Sequence, residues 1–152
     1  MEKTPEELVA ASGHVLYEVK MLRATAGLIA NDFAAGNQWV DNALIESFLV
    51  HARNLIQFLY PDGPFKTDVL AKHFFDEPER WESLAGDLPE GLKSVAQRAN
   101  KLLAHITYDR IEMVGEKKKW DWSGIHDAII ARVDLFHSNA RPELLGAWAK
   151  KG

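Results

Sequence analysis

An all-α fold is what this sequence of 152 residues predicts, and three observations predict it. Apolar residues recur at intervals of three and four over long stretches, as they do along one face of an α-helix. Helix breakers, such as the Pro61, Gly63 and Pro64 group, separate those stretches. No segment alternates apolar and polar residues as a half-buried strand does. We therefore expect an antiparallel bundle of four long helices with one to three short accessory helices, in a single domain over residues 1–152.

The first two long helices are predicted over residues 5 to about 35 and over residues 42 to 60. Thr4 is the expected N-cap of the first helix, because Glu7 lies at the spacing that completes a capping box. Asp41 is the expected N-cap of the second helix. The apolar residues of that second helix cover more than half of its circumference, so we expect it to be central in the bundle.

The remaining elements follow from the same periodicity. Residues 65–91 contain four prolines or glycines among short apolar clusters, which predicts one or two short helices packed across the bundle. The third long helix is predicted over residues 89–110 and the fourth over residues 123–138. A short terminal helix is expected over residues 143 to about 150, after Pro142.

Composition restricts the possible functions. The absence of cysteine excludes disulfides, thiolate metal ligands and a cysteine nucleophile. No apolar run approaches the roughly 18 residues that span a bilayer, and the acidic N-terminal segment does not have the pattern of a signal peptide. We therefore expect a cytoplasmic protein with no membrane partner.

Charge is distributed unevenly along the chain. The net charge of −4 argues against a general coat on nucleic acid, since such binding needs many cations. Residues 93–119 nevertheless hold seven Lys or Arg against three acids. This basic segment is either a surface for one defined RNA or an ordinary solvated region.

One side of the predicted third helix carries the residues best suited to chemistry: Arg98, Lys101, His105 and Tyr108. At about 100° per residue, Arg98 and His105 differ by only about 20° around the axis and lie roughly 10 Å apart along it. An arginine can hold a phosphate, and a histidine can transfer protons near neutral pH. Both groups would be needed to cleave RNA.

This stretch resembles the signature of the HEPN superfamily of helical-bundle proteins, in which an arginine is followed after four to six residues by a histidine. Six residues separate Arg98 from His105. The polar residue that commonly follows the arginine directly is here one position later, at Asn100. The resemblance implies a metal-independent endoribonuclease of toxin–antitoxin or phage-defence type, with no cofactor. It implies catalysis by Arg98 and His105, with RNA contacts from Lys101, Tyr108 and Asn100.

A two-fold homodimer is also implied, because two copies of the helix would bring the arginine of one subunit to the histidine of the other. In this scheme a ribose 2′-hydroxyl attacks the adjacent phosphate. His105 acts as general acid or base and Arg98 stabilises the charge on the phosphorane. An antitoxin or another regulatory protein is a further partner that the resemblance implies.

Two other functions fit the same residues. In the first, the protein is a non-catalytic interaction or scaffold protein, and the polar side of the third helix is a dimer or partner surface. In the second, His14, His51 and His105 form a metal site, although no same-face chelating pair occurs on a helix. His51 lies inside the apolar stripe of the second helix, so we expect a core or interface histidine with a hydrogen-bond partner.

Overall fold

The computed structural model of the chain describes residues 3–104, 106, 108 and 120–149, and every regular element in these ranges is helical. The prediction of an all-α fold is therefore confirmed. The α-helices of the described ranges are α1 (Pro5–Ala30), α2 (Gln38–Leu59), α3 (Pro78–Ala85), α4 (Glu90–Ala99) and α5 (Trp122–Asn139). Short 3₁₀ turns span Ala71–Phe74, Pro142–Leu144 and Gly146–Trp148, and a π-helical segment spans Asn100–Ala104. None of these helices is long and apolar enough to cross a membrane.

Helix α1 begins as predicted. Thr4 Oγ1 accepts the Glu7 N–H at 3.2 Å, and Glu7 Oε2 accepts the Thr4 N–H at 2.9 Å. The capping box satisfies two backbone donors that a helix N-terminus would otherwise leave without partners.

The predicted end of α1 near residue 35 is wrong, because the helix ends at Ala30. The Asn31 side chain donates to the carbonyl of Gly27 at 2.7 Å, and Asp32 has a φ of 51°. That left-handed conformation cannot continue a right-handed helix. Phe33 is 63% exposed in the turn that follows.

Helix α2 begins four residues earlier than predicted, and Asn37 rather than Asp41 is its N-cap. Asn37 Oδ1 accepts the N–H groups of Trp39 and Val40 at 3.1 and 3.3 Å. Asp41 lies in the first turn, where its negative charge is favourable to the helix dipole. The central position of α2 agrees with its eight buried residues: Phe48, Leu49, His51, Ala52, Leu55, Ile56, Phe58 and Leu59.

Apart from α4, the elements after α2 largely follow the predictions. Residues 65–91 contain the 3₁₀ turn Ala71–Phe74 and helix α3, and α5 begins and ends within one residue of its predicted bounds. The predicted terminal helix is instead two 3₁₀ turns separated by Leu145, and Gly146, which begins the second turn, has a φ of +54°. A Cβ at Gly146 would lie 3.2 Å from Val9 Cγ1, so the close packing on α1 and the backbone conformation both favour glycine.

The core is organised around the ring of Phe136 on α5, which is fully buried. We call this ring and its neighbours the aromatic cluster. Their ring centroids lie 5.1 to 6.2 Å from that of Phe136, and the neighbours are Phe58, Phe74, Phe75, Trp81 and Trp148. These neighbours come from α2, from the first 3₁₀ turn and the residue that ends it, from α3 and from the last 3₁₀ turn. Together with α5, which carries Phe136, one side chain therefore connects five parts of the fold.

His73 lies in the first 3₁₀ turn and accepts a backbone hydrogen bond. Its Nδ1 accepts the N–H of Leu70 at 3.3 Å, which requires an unprotonated Nδ1. Partial burial lowers the pKa of His73 below its ordinary value of 6.5, and the positive charges of Lys72 and Lys3 lower it further. The folded state therefore favours the neutral imidazole.

Replacing Phe136 tests the role of the aromatic cluster. We expect Phe136→Ala to lower the free energy of unfolding by about 3–5 kcal/mol, because it removes a fully buried ring and leaves a cavity. Phe33→Ala removes the same ring from an exposed turn and should change that free energy by less than about 0.5 kcal/mol. Chemical denaturation followed by circular dichroism measures both variants. Equal losses for the two would contradict the assignment.

His73 should make stability depend on pH. Because its pKa is lower in the folded state, the unfolded chain takes up the proton first as the pH falls below about 6.5. The free energy of unfolding should therefore decrease between pH 6.5 and the lower folded-state pKa. His73→Asn keeps an acceptor for the Leu70 N–H but cannot titrate, so it should reduce this slope. Denaturation at a series of pH values measures it, and an unchanged slope in the variant would show that His73 is not responsible.

Candidate functional site

The predicted third long helix is shorter in the structure than its sequence pattern indicates. Helix α4 ends at Ala99 and continues as the π-helical segment to Ala104, while Ile106 lies outside any helix and Tyr108 in a turn. The prediction of one α-helix to residue 110 is therefore wrong. Tertiary packing of an apolar face is the main source of helix stability in proteins, and the apolar residue Ile106 is 94% exposed.

This change removes the geometric basis for placing Arg98 and His105 on one helix face. A π-helix pairs residue i with residue i+5, so the rotation of about 100° per residue does not apply after Ala99. His105, the predicted proton-transfer residue, lies outside the described residues. The lysine run at residues 117–119 and Arg110 also lie outside them.

Arg98 contacts an aromatic ring at the start of α5. Its Cζ atom lies 4.0 Å from the centroid of the Trp120 ring, and both side chains are partly buried. A cation–π contact of this kind contributes about 0.5–2 kcal/mol, depending on desolvation. The guanidinium carries five N–H donors, and arginine can bind a phosphate through two of them at once.

A cleft of about 360 Å³ lies between α4 and α5, and Arg98 and Trp120 line it. Ser94, one turn earlier on α4, lines it too, whereas Arg98 is the one described residue of the predicted polar side that this cleft includes. Asp121 forms part of the wall and caps α5, with its Oδ1 accepting the Gly124 N–H at 3.0 Å. A Cβ at Gly124 would clash with the Asp121 carboxylate, so glycine keeps this cap and the cleft wall in place.

The other predicted RNA contacts are not gathered in this cleft. Asn100 is exposed and lines a different cleft, formed with α2 and the loop after it. Lys101 is exposed, and Tyr108 is 89% exposed. The structure thus places Arg98 and Asn100, two positions apart in sequence, on two different sides of α4.

His51 has the partner that its buried position requires. Its Nδ1 and Glu18 Oε2 lie 2.6 Å apart, and Asn54 donates to the same oxygen at 3.2 Å. The ring of Tyr17 packs edge-on against the imidazole, with centroids 5.9 Å apart. The prediction of a core or interface histidine with a hydrogen-bond partner is confirmed, and the interaction connects α1 to α2.

No group of three or more His, Asp or Glu side chains within the described residues is arranged to hold a metal ion. His51 engages Glu18 through one ring nitrogen, and the proposed third ligand, His105, lies outside the described ranges. The three-histidine site therefore gains no support from the positions that the structure describes.

Sequence reasoning missed one functional candidate, Trp120. Trp120 is one of five tryptophans in the chain, and its position directly before the N-cap Asp121 is the sequence signal that sets it apart. Arg53 belongs to the cleft that Asn100 lines.

Comparison of the chain with protein-family models, with curated proteins and with solved structures finds no match.

Replacing Trp120 tests the contact with Arg98. We expect Trp120→Leu to lower the free energy of unfolding by about 1–2 kcal/mol, because partly buried apolar area and the cation–π contact are lost together. Trp39 is 83% exposed, so Trp39→Leu is the matched control and should change the value by less than about 0.5 kcal/mol. Urea denaturation of both variants measures the difference. A loss at Trp39 as large as that at Trp120 would be evidence against the contact.

Proposed function

We propose that this protein is a HEPN-like endoribonuclease that acts as a homodimer, with Arg98 holding the scissile phosphate and His105 transferring the proton. The observation that supports the proposal is the contact between Arg98 and Trp120, since it holds a guanidinium at the wall of a cleft. The proposal includes an antiparallel arrangement of the four longer described helices, α1, α2, α4 and α5.

The chemistry is an internal transfer at phosphorus. The ribose 2′-hydroxyl attacks the adjacent phosphorus atom, the bond from phosphorus to the 5′-oxygen breaks, and a cyclic phosphate forms. His105 removes the proton from the 2′-hydroxyl or delivers one to the leaving 5′-oxygen. Arg98 stabilises the negative charge that develops on the phosphoryl oxygens. No metal or cofactor takes part in these steps.

Substrate recognition in this proposal uses groups near the same helix end. Lys101 is an exposed cation one turn from Arg98 and supplies a second phosphate contact. The exposed ring of Tyr108 stacks on an unpaired base. Asn100, on the other side of α4, contacts a neighbouring nucleotide rather than the scissile phosphate. An antitoxin or another regulatory protein that covers the basic segment would control the activity.

Non-catalytic binding of a partner protein is the second candidate function. Ile106 and Tyr108, at 94% and 89% exposure, place a large apolar and a large aromatic side chain in solvent within three residues. Such residues are typical anchors of a protein interface. In this case α4 and its extension form the dimer or partner surface, and Arg98 serves the interface through Trp120.

Cleavage assays on cellular RNA in excess chelator distinguish these functions. We expect the wild-type protein to cleave, His105→Ala to abolish cleavage, and Arg98→Ala to reduce its rate about 100-fold, because charge stabilisation in the transition state is lost. Arg80→Ala removes an exposed arginine on α3 and is the matched control, expected to cleave as the wild type does. Circular dichroism verifies the helical content of each variant.

Each alternative outcome of this assay has a meaning. Activity that disappears with chelator would favour a metal-dependent enzyme over the proposal. A stable dimer that cleaves no RNA in a broad panel would favour the interaction protein. Full activity of His105→Ala would overturn the assigned chemistry even if RNA is cleaved.

A further inference from the structure

A second cleft lies on the other side of α4, between α2 and the loop that connects α2 to the first 3₁₀ turn. Its volume is about 430 Å³, within the range of roughly 300–1,000 Å³ that is usual for small-molecule sites. Arg53 on α2 lines this cleft together with Asp62 and Asp68 of the loop. Phe65 and Val69 contribute apolar surface. The cleft therefore combines a cation, two carboxylates and an apolar wall.

The charged side chains of this cleft do not neutralise one another. Arg53 is partly buried, yet within the described part of the chain it forms no hydrogen bond and no ion pair with Asp62 or Asp68 inside 4.0 Å. A partly buried guanidinium loses hydration without gaining a partner, which favours binding of an anionic group. The two carboxylates correspondingly favour an ammonium or another N–H donor.

Local hydrogen bonds hold the loop wall in position. The Gln57 side chain bonds both the N–H and the carbonyl of Asp62, each at 3.4 Å. Asp68 Oδ2 accepts the Phe65 N–H at 2.9 Å, and the Asp68 N–H donates to the Phe65 carbonyl at 3.0 Å. These bonds all lie within the chain and join the loop to α2 and to itself, so they pre-order one wall of the cleft.

A ligand that satisfies both kinds of charge must carry an anionic and a cationic group on one apolar body. The ring of Phe65 is 79% exposed at this site and offers surface for that body. A nucleotide fits less well, because its phosphate would bring up to two negative charges toward the two carboxylates for a single arginine. An α-amino acid zwitterion has the required groups and a suitable size.

We infer that this cleft binds a free α-amino acid with an aromatic or large aliphatic side chain. The ligand's carboxylate pairs with Arg53, its ammonium group pairs with Asp62 or Asp68, and its side chain packs against Phe65 and Val69. This inference goes beyond the proposed action on RNA and uses neither Arg98 nor His105. A negative result in the ribonuclease assay therefore does not bear on the inference that this cleft binds an amino acid.

A matched series of three ligands tests the inference on the wild-type protein. Phenylalanine has both charged groups, phenylalaninamide lacks the carboxylate, and 3-phenylpropionate lacks the ammonium group. We expect phenylalanine to bind with a Kd in the micromolar to millimolar range, measured by calorimetry and by amide chemical shifts. The two analogues should each bind at least about tenfold more weakly, since each loses one charge-assisted contact.

Two variants then assign each charged group of the ligand to its partner. Arg53→Gln should weaken phenylalanine binding about tenfold and remove most of the difference between phenylalanine and phenylalaninamide. The double variant Asp62→Asn/Asp68→Asn should instead remove the difference between phenylalanine and 3-phenylpropionate, and asparagine at position 68 can still accept the Phe65 N–H. Arg80→Gln, a matched change outside the cleft, should bind as the wild type does.

Several results would overturn the inference. These are no binding of phenylalanine or leucine at millimolar concentration, equal binding of phenylalaninamide, and tighter binding of a nucleoside monophosphate. Unchanged binding by a folded Arg53→Gln variant would do the same. Should that variant fail to fold, the ligand series on the wild-type protein decides the question alone.

Discussion

The buried ring of Phe136 is the contact on which the position of α5 in the fold depends. It joins α5 to α2, to α3 and to the first and last 3₁₀ turns, so the position of α5 is determined by five aromatic neighbours. Close packing makes such a core sensitive to small changes in volume, and this sensitivity gives the helices one defined arrangement. Trp120 lies directly before the N-cap of α5. Because α5 is held in this way, the ring of Trp120 is positioned near the end of α4, where it contacts Arg98.

Helix α4 separates two sites with different chemistry. On the side of α5, Arg98, Trp120 and the Asp121 carboxylate line the cleft that we propose receives an RNA phosphate. On the side of α2, Arg53 and two carboxylates line a cleft suited to a small zwitterion. Ala99 on this helix is fully buried. The same ten-residue helix therefore contributes residues to two separate clefts.

Local signals in the sequence predicted those parts of the fold that depend on neighbouring residues. The capping box of Thr4 and Glu7 is an example, since its hydrogen bonds join residues three positions apart. Asn37 and Asp41 are both good N-cap residues, and the choice between them depends on the path of the turn before α2. The sequence pattern predicted a helix that continues beyond Ala99, because Ile106 fits the helical period. In the structure the core does not cover Ile106, and its side chain is exposed.

The candidate sites could be predicted less well from the sequence, because their contacts join residues that are far apart in the chain. The pairing of Arg98 with Trp120 joins residues 22 positions apart, and that of His51 with Glu18 joins residues 33 positions apart. A pattern along the chain showed that a buried His51 needs a partner, but only the packing of α1 on α2 identifies Glu18. The role of His105 remains a prediction from the spacing of the motif.

The central claim is that Trp120 prepares Arg98 to bind an RNA phosphate, and a double-mutant cycle on RNA affinity tests it most directly. The four proteins are the wild type, Arg98→Lys, Trp120→Leu and the double variant, measured at one fixed salt concentration by fluorescence anisotropy. The account predicts that each single variant weakens binding and that the double variant is little weaker than either, because both changes remove the same contact. Additive losses, or RNA affinity that is unaffected by either change, would contradict it.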